Sequence, residues 1–315
     1  VRGCSVVSPG CSSCYAMKQA HRFSGPGQQY EGLTKLTKGG PVWTGDVRLV
    51  PEKLEEPLRW RKPRRVFVNS MSDLFLEKVP NEFIAAVFGV MAASPIHTFQ
   101  VLTKRPERMR RWFEWLRERG GIGPYIRQHF DDLREFFKGG TRLTTYRGRT
   151  IRSGDDAGCM VLNAAACVGA GPLDNVWLGV SVEDQARWNE RVPLLQDTRA
   201  AVRFVSVEPL ISPIKALSSV DFLGIGWVIV GGESGRRARR CDVAWVRDIV
   251  GQCADAAVPV FVKQLGAAAV SNRVPLYLKD EKGGDPIEWP ADLRRREFPK
   301  TGLRVREFQN TEVRT

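Results

Sequence analysis

Seven short runs of apolar, β-branched residues recur along the chain with helical or irregular stretches between them. They are Trp43–Leu49, Val66–Asn69, Thr98–Thr103, Val176–Val182, Arg203–Val207, Trp227–Val230 and Val258–Val262. Such alternation builds β/α units whose strands pair in parallel. A strand buried on both faces reads as an unbroken apolar run, as Val-Trp-Leu-Gly-Val from 176 and Trp-Val-Ile-Val from 227 do. The segments between carry helix signals: Pro51 and Glu52 open a stretch to Trp60, Pro80 to Met91 has helical spacing, Pro106 to Arg119 is basic and amphipathic, and Asp242 to Ala256 alternates apolar and charged faces. Two spacers read as irregular, 24–41 and about 120–174, the second with a Gly- and Thr-rich middle at 139–158. The expectation is an α/β chain, a partial or full TIM-like β/α barrel in one domain over 1–315. It adds an eighth strand at or before the N-terminus, an inserted loop or helical segment at about 120–174 and a C-terminal extension at about 267–315.

Hydrophobic residues make up 43% of the 315, enough for a sizeable core, and no stretch approaches the roughly 20 apolar residues of a membrane span. The N-terminus lacks a secretory pattern, so a cytosolic setting with reduced thiols is expected. Seven cysteines, an odd number, argue for metal or thiol chemistry over a disulfide framework. The net charge of +13 suits a polyanionic partner such as nucleic acid.

Cys4, Cys11 and Cys14 stand in a C-x6-C-x2-C pattern, with Pro9 and Gly10 bending the backbone between them and Tyr15 following at once. Thiolates suit iron–sulfur clusters or zinc. Three of them leave one iron of a [4Fe–4S] cluster without a protein ligand, free for the amino and carboxylate groups of S-adenosylmethionine. A structural zinc site completed by His21 is the competing reading, and would make the chain a non-enzymatic nucleic-acid-binding protein. Cys159, Cys167, Cys241 and Cys253 are too scattered to define a second site and read as core or loop cysteines.

Chemistry in β/α barrels gathers where strands end and loops converge on the mouth. The polar residues expected there are Asn69, Ser70, Ser72 and Asp73, then Thr103 and Lys104, Ser181 and Glu183, Glu208, Gly231 to Ser234, and Lys263 with Gln264. For a nucleoside cofactor, Gly231 and Gly232 offer close backbone approach, and Asp73, Glu208 and Glu233 offer carboxylates for ribose or amine. Asn69, Ser70, Ser181, Glu183 and Ser234 complete the expected cofactor-binding set; Lys104, Glu208 and Lys263 are the expected catalytic residues. A helix cap or an ion pair is the structural alternative for each carboxylate. Basic runs follow two strand ends, Lys104, Arg105 and Arg108 with Arg110 and Arg111, and Arg236, Arg237, Arg239 and Arg240; a third, Arg59 to Arg65, precedes a strand and belongs on the opposite face. The first two suit phosphate contacts, although solvated surface explains such runs equally. Trp43, Trp112, Trp115 and Tyr146 are candidate stacking surfaces for an unstacked base.

The pieces Gly3-Cys4 through Ala16, Val66 through Asp73, Phe99 through Met109, Asn175 through Asp184, Phe204 through Leu210, Gly231 through Gly235 and Phe261 through Gly266 together resemble a known group. It is the phage and prophage radical S-adenosylmethionine-like proteins, distantly similar to spore photoproduct lyase. The x6 gap departs from the x3 spacing usual in that superfamily. The resemblance implies a radical S-adenosylmethionine-type barrel with a [4Fe–4S] cluster on Cys4, Cys11 and Cys14. It implies an isomerase or lyase acting on a modified thymine or other pyrimidine of phage DNA, with a low-potential electron donor such as flavodoxin or ferredoxin. A tRNA base or a small metabolite is the alternative substrate.

Overall fold

A computed structural model describes residues 1–121, 125, 145–146, 149–150, 171–215 and 218–299. In chain order the strands are β1 (Thr34–Thr37), β2 (Gly40–Trp43), β3 (Arg65–Val68), β4 (Thr98–Thr103), β5 (Thr145–Tyr146), β6 (Arg149–Thr150), β7 (Val176–Val182), β8 (Val202–Val207), β9 (Trp227–Gly231), β10 (Cys241–Asp242), β11 (Val260–Gln264), β12 (Ala269–Ser271) and β13 (Val274–Pro275). The α-helices are α1 (Tyr15–His21), α2 (Glu56–Arg59), α3 (Asn81–Ala93), α4 (Pro106–Glu118), α5 (Gln185–Gln196) and α6 (Val243–Asp255).

Six strands form one sheet in the order β11-β9-β8-β7-β4-β3, every neighbouring pair parallel. Each strand lies beside the next of the sheet along the chain, and the sheet curls into a half-barrel, so the fold is a partial β/α barrel. Six of the seven expected strands are these. The seventh, Trp43–Leu49, is not one: Trp43 ends the antiparallel β1–β2 hairpin, and Gly45 at φ 89° turns the chain away. That hairpin occupies the spacer expected to be irregular. Of the eighth strand, the described residues contain only a parallel bridge from Gly3 to Ser72 and an antiparallel one from Arg2 to Arg48.

Alternation along the strands separates two faces. Val66, Val68, Phe99, Val101, Val176, Leu178, Val180, Val182, Val205, Val207, Val228, Val230, Val260 and Val262 point into the main core beneath the helices. Trp177, Val202, Phe204 and Trp227, flanked by Leu102, Ile229 and Phe261, form a second cluster on the concave face. Helix α4 buries Met109, Trp112 and Leu116 and exposes its arginine-rich side. Helix α5, which carries no proline or glycine signal at its start, is capped by the Asp184 carboxylate accepting the Arg187 N–H.

The described part of the C-terminal extension, 267–299, packs on the barrel. Its β12 pairs with β10 and its β13 with β12, Trp289 and Leu293 are buried, and the segment 295–297 hydrogen-bonds along β11 through Val262 N–H to Arg295 O and Glu297 N–H to Val260 O. Phe298 then packs on Trp227 and Phe261, closing the bottom of the concave face. The expected insertion lies mostly outside the described residues, which within it are 120–121, 125, the β5–β6 pair and 171–174. Among the described residues no helix is long and apolar enough to cross a membrane.

Candidate functional site

The cysteine loop crosses the rim formed by the C-terminal ends of the strands. Pro9–Cys11 make one 3₁₀ turn, Cys14 precedes α1 directly, and α1 packs with the hairpin around Ala16, Met17, Ala20, Tyr30, Leu33 and Trp43. Cys4, Cys11 and Cys14 are free and half-buried, while Val6 and Val7 at the crest of the loop are exposed.

Strand ends hold this loop at several separate points. From the end of β3, Gly3 bridges Ser72, the Ser72 hydroxyl donates to Val1 O at 2.9 Å, and the Tyr15 hydroxyl donates to Ser70 O at 2.7 Å. Buried Asp73 accepts from the Thr103 hydroxyl, the Lys104 N–H and the Arg105 guanidinium, the last at 2.9 Å. Arg105 in turn donates to Ser5 O at 2.9 Å and Ser5 Oγ at 2.7 Å, next to Cys4. From the end of β7, Glu183, which is 0% exposed, accepts the Gly10 N–H at 3.0 Å and ion-pairs with Arg191 at 3.1 Å and Lys104 at 3.5 Å. A Cβ at Gly10 would lie 3.0 Å from the Glu183 carboxyl carbon, so any other residue there would have to push the carboxylate aside by a few tenths of an ångström. From beyond β9, Glu233 pairs with Arg239 at 2.7 Å, and Arg239 donates to Pro9 O at 2.9 Å.

The electrostatics follow from these contacts. Burial pushes Glu183 upward, but the Lys104 ammonium, the Ser8 hydroxyl, Arg191 and the Gly10 N–H together hold it below the ordinary glutamate range. Burial is likewise outweighed at Glu233 by hydrogen bonds from Arg239. Burial pushes the Cys4 thiol up to about 12 and raises that of Cys14; Arg105 draws the first back, and the backbone N–H groups of Ala16 and Met17, with a smaller pull from Lys104, the second. Binding a metal would replace those protons.

The expected site residues therefore divide. Asp73 and Glu233 are engaged by arginines that hold the loop, and Glu183, paired with Arg191, holds it directly at Gly10. Glu208 and Lys263 remain at the open mouth, 3.3 Å apart, and the Glu208 carboxylate holds Lys263 protonated to higher pH than usual. Glu208 also accepts from the Ser206 hydroxyl, and its backbone carbonyl from Ser181. Lys104 Nζ donates to Ser181 Oγ on the concave face. Asn69 sits at φ 57° with a buried Nδ2 that has no hydrogen-bond partner among the described residues, and Ser70 is exposed. Gly231 makes room for Glu208, whose Oε1 would be 2.7 Å from an added Cβ. Gly232 is required by the chain itself, since its Cβ would lie 2.2 Å from Leu265 O; Ser234 is half-buried beside it.

Two of the aromatic expectations are corrected. Trp43 is a core residue beneath the hairpin, and Trp112 is fully buried with its indole N–H donating to Asn81 O, so neither offers a stacking face. Trp115 packs on Trp112 and Tyr125, and the Tyr146 side chain lies outside the described residues. His21 is not brought to the cysteines: its Nδ1 lies 3.1 Å from Thr34 Oγ1. Among the described residues no three His, Cys, Asp or Glu side chains converge on a point suited to one metal ion. Cysteines at three corners of a cubane stand farther apart than ligands of a single ion. Sequence reasoning missed Arg191 and read Gly10 only as a bend, not as a donor to Glu183; Arg191 was detectable as a charge among Trp188, Val192 and Leu195 on the buried side of a helix.

Residues 1–302 match the family described as "Protein of unknown function (DUF5131)". No curated protein and no solved structure matches the chain.

Proposed function

The chain belongs to that family, whose description specifies no chemistry, and from its site we propose a radical S-adenosylmethionine enzyme acting on a nucleic-acid base, a modified thymine or other pyrimidine of DNA. The observation that carries the reading is the seating of Cys4, Cys11 and Cys14, three free thiols on a loop fastened across the C-terminal rim of a partial parallel β/α barrel. These cysteines would hold a [4Fe–4S] cluster, and their donor chemistry fits it: soft sulfur ligands, three in number, with His21 turned to Thr34. When bound, cluster and S-adenosylmethionine supply a 5′-deoxyadenosyl radical that removes a hydrogen atom from the substrate.

The chain's own residues position and shield. Arg105 and Glu183 fix the loop next to Cys4 and Cys11. Lys104, directed to Ser181 on the concave side, would present a cation to the carboxylate tail of the cofactor. Glu208 and Lys263 are the accessible acid–base pair for a base entering at the mouth. The aromatic floor of Trp177, Phe204 and Trp227 excludes water beneath them. A low-potential flavodoxin or ferredoxin is the electron source this chemistry requires.

Anaerobic reconstitution with iron and sulfide, followed by reduction in the presence of S-adenosylmethionine, is expected to give broad visible absorption and 5′-deoxyadenosine. Cys11→Ala should lose both, and Cys253→Ala, a core position, should keep them. One zinc without sulfide in protein purified anaerobically would end the proposal.

A further inference from the structure

The basic runs at the rim differ in what already binds them. Behind β4, Arg105 holds Asp73, Arg108 donates to Asn81 and pairs with Glu77, Arg110 pairs with Glu107 and Glu114, and Arg111 with Glu77. That cluster is neutralised from within. Behind β9, Arg239 and Arg240 pair with Glu233 and Asp242, but Arg236 and Arg237 are exposed and, among the described residues, make no ion pair. Arg237 Nη1 donates to Gly39 O at 3.3 Å, in the turn of the β1–β2 hairpin. This contact joins the arginine loop to the turn that carries Lys38, while Lys35 is exposed on β1. Helix α1, packed against the hairpin, adds exposed Lys18, whose charge reaches Glu233. Lys18, Lys35 and Lys38 also make no ion pair among the described residues, and residues 15–44 contain a single carboxylate, Glu31. Arg239 links the same loop to the cysteine loop at Pro9.

We infer that Lys18, Lys35, Lys38, Arg236 and Arg237 form one cationic platform beside the mouth, on which the phosphate backbone of a DNA strand lies while its target base enters. The inference rests on the proposed base-directed function and assigns the backbone contact to a surface drawn from three chain segments. Phosphates are met by mobile, unpaired Lys and Arg without sequence reading. A protein partner is less well matched, because interface centres are depleted of Lys, which supplies three of the five cations here.

Fluorescence anisotropy with a labelled thymine-containing oligonucleotide, single-stranded and duplex, titrated with reconstituted protein across a salt series, tests this. The variants Lys35→Gln/Lys38→Gln and Arg236→Gln/Arg237→Gln should each weaken binding on the order of tenfold and lower the salt slope by about two. Lys62→Gln, before β3 at the far end of the sheet, should change neither. If a double variant melts below the wild type, Lys35→Gln alone should still lower the slope by about one. Wild-type affinity and slope in both double variants would overturn the platform. So would unchanged DNA binding with slower reduction by flavodoxin, which would make the surface a dock for an acidic protein. Absent 5′-deoxyadenosine with DNA binding reduced in the variants would overturn the radical chemistry and leave the platform standing.

Discussion

Glu183 shows how a single buried charge organises the rim. It is 0% exposed and its ion-pair partner Arg191 is 1% exposed, so removing the carboxylate leaves a guanidinium in the core and Gly10 without its acceptor. Breaking a buried pair in this way costs about 3–5 kcal/mol. Glu183→Ala should lose that much in chemical denaturation, and the amides of residues 4–14 should exchange faster with solvent. Glu183→Gln/Arg191→Met, which keeps an acceptor for Gly10 and removes both charges, should recover part of the loss. A double variant as unstable as the single one would mean that the charge pair is not what Glu183 contributes. In the sequence, Glu183 was legible as a strand-end carboxylate; its partner was not, because Arg191 lies eight residues on and meets it only once α5 folds back over β7.

Strands were easier to read than the small elements between them. The parallel strands announce themselves because burial on both faces demands mostly apolar residues, and β7 is buried at all seven positions. Gly179, the one position of β7 without a side chain, has a tertiary cause: a Cβ there would lie 2.5 Å from the Phe204 ring on the adjacent strand. Gly179→Ala should therefore cost about 1–3 kcal/mol by overpacking, and pairing it with Phe204→Leu should relieve most of that, measured by denaturation of both. An additive double variant would place the strain elsewhere. The β1–β2 hairpin was hidden because its outer strand, Thr-Lys-Leu-Thr, is largely exposed and its glycine turn resembles a linker; the apolar anchors Tyr30, Leu33 and Trp43 are scattered and meet only against α1.

At the scale of the whole molecule, the half-barrel depends on its last described segment. Trp289 is buried to 2% exposure and donates to Gly283 O, while 295–297 covers the β11 edge and Phe298 seals the concave floor. Trp289→Ala should cost about 3–5 kcal/mol, and deleting residues 267–299 should abolish cooperative unfolding, read by thermal melting with circular dichroism. A deletion that still melts cooperatively would show that the extension is an appendage. Taken by itself, the sequence determined the β/α alternation and the spacing of three cysteines, because apolar periodicity and ligand spacing are local properties of the chain. It also placed the polar residues at strand ends, since a parallel sheet puts all those ends on one side. Only the tertiary structure decided which carboxylates hold the cysteine loop and which stay open at the mouth. It also decided which arginines are neutralised and which are free. Both depend on partners brought together from distant parts of the chain, and a charge carries no mark of its partner until the fold puts them within reach.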